Sequence, residues 1–213
     1  MPPPSDDLRT ILVQLSRNWA YSYIDDCVKR VFDRYPENTE FIDVLEKVTV
    51  LDSLYRTNLR FEGVTSMTHH ITNHGEEIDD SLKSRSEKYE AFYIIRDFQR
   101  KNGNDGKWSF AAKYCRFQVP EHFPIYDDRA YYVIKWLQEQ DVVPKEYKFQ
   151  TYEEWKKGVY LIGQLMGSTN LKEIDQALWN LSEYVLEDIH GRSGPRILNK
   201  SIHQVCLELS GHS

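Results

Sequence analysis

Apolar residues recur at helical spacing along almost the whole chain. Over residues 6–35 they fall at every third or fourth position, which is the period of an amphipathic helix. Pro36 ends this run, because the residue before a proline is disfavoured in helical conformation. We therefore predict one or two helices there, beginning at a cap formed by Ser5 or Asp6.

The same spacing predicts a series of further helices. Asn38 or Thr39 is expected to cap the first of them, and Thr151 with Glu154 forms a capping-box pair. A break is expected over residues 58–63, and no hairpin pattern with alternating flanks is found. The predicted helices cover residues 41–54, 65–74, 76–83, 86–101, 108–117, 127–140, 151–166, 171–189 and 195–209. This pattern predicts an all-α fold of about ten helices in a single compact domain over residues 1–213, built either as one body or as two interleaved lobes.

Composition supports a cytoplasmic protein without a membrane span. Hydrophobic residues make up 40% of the chain and charged residues 28%, and no run approaches the ~20 apolar residues of a spanning helix. The N-terminus lacks the basic and apolar regions of a secretory signal. Cys27, Cys115 and Cys206 are too few and too scattered for a disulfide framework or a zinc site. His70 and His74 have metal-capable spacing but lack the acidic residue of a zinc-protease helix, so we expect no metal and no cofactor.

Charge is distributed unevenly. The whole chain carries −6, but residues 81–118 contain nine basic and four acidic side chains, a net charge of +5. A basic face on an acidic body is compatible with phosphate contacts. An ordinary solvated helix surface explains the same charges. From this window, Arg100, Lys101, Lys107 and Arg116 are the predicted DNA-binding residues.

A lysine and an aspartate stand out as candidates for chemistry. Lys113 lies on a predicted helix between Ala112 and Tyr114, behind a glycine-rich turn at residues 102–106. Apolar surroundings should desolvate its amine, which lowers an ammonium pKa and frees a nucleophile. Asp127 follows an extended Phe-Pro-Ile-Tyr segment and begins the next predicted helix, where backbone N–H groups favour a carboxylate. A helix N-cap and a surface lysine whose stem packs on its neighbours are the plain alternatives.

This order of turn, lysine helix, proline-containing segment and aspartate-led helix resembles the core of the helix-hairpin-helix DNA glycosylases. The resemblance implies two helical lobes around a cleft and a hydrolase of DNA repair. Lys113 would attack the anomeric carbon of a deoxyribose, with or without subsequent strand cleavage, and Asp127 would be its electrostatic partner. A flipped base would occupy a pocket, for which Tyr55, Asn58 and Tyr126 are the predicted lining residues.

A second function class stays open beside this one. The family's Gly-x-Gly before the lysine is replaced here by Ser-Phe-Ala at residues 109–111, which favours a non-catalytic helical module that binds nucleic acid or a protein partner. The lysine–aspartate pair favours the enzyme. A purely structural protein is the third reading.

Overall fold

The computed structural model describes residues 5–17, 22–57, 59–85, 88–98, 106–187 and 195–210. The regular secondary structure in this part of the chain is almost entirely α-helical, which confirms the all-α prediction. Contacts between Cα atoms divide the protein into two compact units. The middle unit is Tyr21–Ile125, and the terminal unit combines Met1–Ala20 with Tyr126–Ser213.

The middle unit contains six helices among its described residues. Helix α3 packs against α2, α4 and α7, and α6 packs against both α5 and α7. Its core is formed by apolar side chains such as Val48, Ile71, Phe92 and Tyr114, none of them more than 1% exposed. The helices are α2 (Ser22–Arg34), α3 (Phe41–Tyr55), α4 (Arg60–Asn73), α5 (Gly75–Ser84), α6 (Glu90–Arg96) and α7 (Trp108–Gln118).

The terminal unit brings the first helix of the chain together with the last third. Helix α10 is its centre and packs against α1, α8 and α9. A two-residue antiparallel pair joins Leu186 to Ile197 and Glu187 to Arg196. The elements are α1 (Ser5–Ser16), α8 (Asp128–Glu139), α9 (Tyr152–Met166), α10 (Leu171–Val185), β1 (Leu186–Glu187), β2 (Arg196–Ile197) and α11 (Ile202–Ser210).

Several helix ends differ from the sequence prediction for local reasons. The break predicted over residues 58–63 is wrong from residue 60 onward, because α4 already starts at Arg60. The Asp52 carboxylate accepts hydrogen bonds from the Leu59 amide at 3.0 Å and the Thr57 hydroxyl at 2.6 Å. Arg56 turns the chain with a φ of 50°. The connection after α3 is therefore shorter than its polar composition suggests.

Two helices are shorter than predicted, because residues next to them form the small β pair. The helix predicted over residues 171–189 ends at Val185, and the one predicted over 195–209 begins at Ile202. Leu186 with Glu187, and Arg196 with Ile197, form the β pair instead, and Leu186 has extended backbone with φ −120° and ψ 149°. Strands this short carry no alternating pattern, which is why periodicity did not indicate them.

Candidate functional site

Helix α7 carries the predicted nucleophile on a helical hairpin of the middle unit. The chain leaves α6, and the Lys107 amide then donates to the Arg96 carbonyl at 2.8 Å. Gly106 takes a φ of 79°, and a Cβ at this position would lie 2.5 Å from the same carbonyl oxygen. Only glycine fits both constraints, so the turn seats the start of α7 directly on the end of α6.

Lys113 is buried within this unit, with 6% of its surface exposed. Its Nζ donates to the Ser109 hydroxyl, one helical turn earlier, at 2.7 Å. The same nitrogen lies 5.7 Å from the centre of the Tyr55 ring, within the range of a cation–π contact. The structure thus brings together two of the predicted site residues, Lys113 and Tyr55.

Lys113 and Tyr55 form a lysine cluster together with Asp25 and Ser109. Neither Asp25 nor Ser109 was among the predicted site residues. The Tyr55 hydroxyl donates a hydrogen bond to the Asp25 carboxylate, while its ring also packs against Phe117, with 5.7 Å between ring centres. Ser109 stands four residues before Lys113, a spacing that places both on one helix face. That spacing was a usable signal for Ser109, whereas Asp25 comes from another helix.

Asp127 caps a helix of the terminal unit. Its carboxylate accepts from the Ala130 amide at 2.8 Å, and α8 begins at the next residue. This confirms the predicted cap. Tyr126 belongs to an aromatic cluster of the same unit, with its ring centre 4.9 Å from that of Trp155. Lys113 and Tyr55 therefore belong to the middle unit, and Asp127 and Tyr126 to the terminal unit.

Several of the basic residues in the 81–118 window are engaged with their own chain. Arg96 pairs with Asp97 at 2.6 Å, and its guanidinium lies 4.6 Å from the centre of the Tyr93 ring. Arg85 pairs with Glu121 at 2.6 Å.

Among the four predicted DNA-binding residues, Arg116 is buried, with 8% exposure, and Lys107 is half-buried. Arg100 and Lys101, like the predicted pocket residue Asn58, lie outside the described residues.

A second buried lysine of the middle unit was not predicted at all. Lys47 on α3 has no exposed surface, and its Nζ donates to the Glu37 carbonyl at 2.7 Å and to the Asn38 side-chain oxygen at 2.6 Å. Burial lowers the pKa of Lys47 to about 8, while the nearby Asp79 carboxylate acts in the opposite direction. Its spacing from Val44, Val48 and Leu51 places it on the buried face of α3, which was the signal available in the sequence.

Asn38 is the centre of this second cluster, which we call the asparagine network (Asn38, Lys47, Asp79, Tyr114 and Gln118). Its amide nitrogen and backbone N–H donate to Asp79 at 2.6 and 3.1 Å, and its side-chain oxygen also accepts from Tyr114 at 2.6 Å. The Gln118 amide fits best with its nitrogen toward the Pro36 carbonyl and its oxygen 3.0 Å from Lys47. The prediction that Asn38 or Thr39 caps α3 is wrong, because Glu40 stands at the N-cap position and Asn38 is buried in the core.

The paired histidines make hydrogen bonds to the backbone. His70 Nε2 donates to the Ile94 carbonyl at 2.7 Å, and His74 Nδ1 donates to the His70 carbonyl at 2.8 Å. Burial lowers the pKa of His70. Within the part of the chain that the structure describes, no three His, Cys, Asp or Glu side chains cluster as metal ligands would. No helix in this part is long and apolar enough to cross a membrane.

Comparison with known proteins identifies a family for this chain. No curated protein and no solved structure matches the chain. The family model HI_0787_N, described as an N-terminal domain, matches residues 7–122. The matched segment holds both the lysine cluster and the asparagine network, and it ends before Asp127. Because the match covers more than half of the chain, the protein belongs to the HI_0787_N N-terminal domain family.

Proposed function

We propose that this protein acts on damaged or modified DNA as a glycosylase or glycosylase/lyase, with Lys113 as the amine nucleophile. The observation that carries the proposal is the placement of Lys113. Its Nζ is held between the Ser109 hydroxyl at 2.7 Å and the Tyr55 ring at 5.7 Å, with 6% of the side chain exposed. A nucleophile needs a fixed direction and few competing waters, and this position supplies both.

The hairpin of α6 and α7 adds support. The lysine of the helix-hairpin-helix glycosylases follows a tight glycine turn between two helices. Here Gly106 makes a turn that only glycine fits, and Lys113 follows on the second helix. The role of Asp127 as the electrostatic partner of that lysine is the second part of the proposal.

The reaction follows from the amine chemistry. The unprotonated Lys113 amine attacks C1′, and the bond between C1′ and the base breaks as the base leaves with the bonding electrons and takes up a proton. The new C1′–N amine then loses a proton, and the C1′–O4′ bond opens as O4′ takes up a proton and becomes a hydroxyl, which gives an imine. Water hydrolyses this imine and regenerates the lysine. A carboxylate such as Asp127 would stabilise the positive charge that develops on the sugar.

Single-turnover base release tests the proposal on duplexes that carry oxidised, alkylated or deaminated bases. We expect release from at least one duplex, with Lys113→Ala and Lys113→Gln both inactive but folded by circular dichroism. Asp127→Asn should keep the α8 cap, because asparagine caps as well as aspartate, and should slow release about 100-fold, on the order of 3 kcal/mol. Unchanged release by both Lys113 variants would refute the nucleophile.

The alternative, a non-catalytic module, is favoured by one observation. The ion pairs of Arg85 and Arg96 and the burial of Arg116 leave less of the 81–118 charge for phosphates than the sequence suggests. If DNA binds there, affinity should fall steeply with salt, and replacing Arg100, Lys101 and Lys107 with Ala should reduce the slope by up to about three. Salt-independent binding, or no binding at low salt, would favour a protein partner.

A further inference from the structure

The terminal unit contains a cavity that the proposed DNA chemistry does not use. Its volume is about 630 Å³, within the range of small-molecule sites. The walls come from the ends of α1 and α9 and from the first turns of α10. The lining residues are Val13, Ser16, Arg17, Met166, Gly167, Ser168, Asn170, Lys172, Glu173 and Gln176.

Two basic side chains, one on α1 and one directly after it, give this cavity its charge. Arg9 and Val13 lie four residues apart on one face of α1, and Arg17 follows four residues later, just after the helix ends at Ser16. Arg17 lines the cavity. Arg9 lies beside it, because a Cβ at Gly167 would be 3.2 Å from the Arg9 guanidinium. Neither arginine has a carboxylate partner among the described residues.

The wall formed by α10 also favours an anion. Asn170 caps this helix by accepting from the Lys172 amide at 3.0 Å, and Lys172 adds a cation beside the positive end of the helix dipole. Glu173 opposes them in charge. Its carboxylate is occupied by the Ser168 hydroxyl at 2.6 Å and the Asn170 amide at 3.2 Å.

Gln176 is the second, independent indication of a ligand. It lines the cavity from α10 and is 8% exposed. Its side-chain amide makes no hydrogen bond to any residue that the structure describes. The residue is largely buried while its amide is open to the cavity, so the amide faces the space that a ligand would fill. A polar group of a bound molecule would supply its partner.

We propose that this cavity binds a small sugar phosphate or a similar phosphate monoester. The phosphate lies against Arg17 and the start of α10, and the hydroxyl-bearing part hydrogen-bonds to Gln176. The site lies wholly within the terminal unit; its wall from the α1 end of the chain falls inside the segment that defines the family, and its walls from α9 and α10 fall outside it. It is independent of the proposed glycosylase activity.

Titration calorimetry of the full chain tests this, with ribose 5-phosphate as the probe and ribose as its uncharged match. We expect ribose 5-phosphate to bind in about the millimolar range or tighter and ribose not to bind. Arg17→Gln should weaken binding about tenfold or more. Gln176→Leu should also weaken it, yet leave thermal stability unchanged or higher, because it removes the unpaired amide. Lys157→Gln, an exposed change elsewhere on α9, should alter nothing.

Other outcomes would overturn the proposal. Absence of binding, or equal binding by wild type, Arg17→Gln and Gln176→Leu, removes the site. Inorganic phosphate that binds as tightly as ribose 5-phosphate removes the role of the sugar. A short single-stranded oligonucleotide that binds more tightly, and that depends on Arg17, would assign the cavity to a nucleic-acid phosphate instead. A loss of thermal stability in Gln176→Leu would show that the amide already has a structural partner.

Discussion

The middle unit buries two lysines, and their surroundings differ in kind. Lys47 is fully enclosed, and carbonyl and amide oxygens accept from its Nζ at 2.6–3.0 Å. Lys113 retains 6% exposure and lies against an aromatic ring and a hydroxyl. Satisfying a buried ammonium with oxygens holds it in place as part of the core. The Lys113 amine beside this ring has a lone pair once it loses a proton, which is what a nucleophile needs.

The comparison separates a structural lysine from a candidate nucleophile. Burial alone does not distinguish them, since both side chains are nearly inaccessible. The groups around each amine distinguish them, because backbone and side-chain oxygens accept from Lys47, whereas an aromatic ring and a hydroxyl lie against Lys113. This difference makes Lys47 a matched control for every test of Lys113, because both are buried lysines of the same unit.

The largest effect is expected from Asn38→Ala. The change removes the acceptor of Lys47 and Tyr114 and the amide that donates to Asp79. Leaving several buried polar groups without partners should lower the free energy of unfolding by about 3 kcal/mol or more. Lys47→Met removes the buried charge itself and should cost less than about 1 kcal/mol. Urea unfolding measures both, and equal losses would contradict the network.

Gly75 provides the next test, because α5 starts against the backbone of Asn38. A Cβ on Gly75 would lie 2.3 Å from the Asn38 carbonyl oxygen. Gly75→Ala should therefore destabilise the protein by about 2 kcal/mol through overpacking. Gly63→Ala is the matched control, since its Cβ would meet Leu59 at 3.4 Å and alanine favours the helix. Thermal unfolding should show a drop for the first variant and none for the second.

A smaller effect is expected from pH. Burial lowers the pKa of Lys47 from its ordinary 10.5 to about 8, so the folded protein releases this proton before the unfolded chain does. Between these values the unfolded state binds more protons, and stability should rise by up to about 1.4 kcal/mol per pH unit. Well below pH 8, Lys47 is protonated in both the folded and the unfolded state, so its contribution to stability no longer changes with pH.

Two other buried groups of the middle unit make the stability fall as the pH rises further. Burial raises the pKa of Cys115 and of Tyr114 above their ordinary values of 9.0 and 10.0, so both reduce stability once the unfolded chain loses those protons. The stability of wild type should therefore be compared with that of Lys47→Met between pH 8 and 9. An identical pH dependence in the two proteins would contradict the assignment to Lys47.

Helical periodicity was enough to predict the all-α class and, to within one residue at each end, the bounds of α7, α8 and α9. It could not predict the buried partners of polar residues, because Asn38 and Asp79 are 41 positions apart and meet only through packing. Asn38 looked like a helix cap because local pattern favours that role. Of the site, Lys113 and Tyr55 were predicted and lie together, while Asp25 and Lys47 depend on contacts between helices that spacing does not encode.

Borohydride trapping on a duplex with an abasic site tests the central claim most directly, because its sugar aldehyde needs no knowledge of the excised base. Wild type should give one covalent protein–DNA adduct, and peptide mapping should place it on Lys113. Lys113→Ala should lose the adduct, and Lys47→Met should keep it. An adduct of equal yield in Lys113→Ala, or one mapped to another amine, would contradict the assignment of Lys113 as the nucleophile.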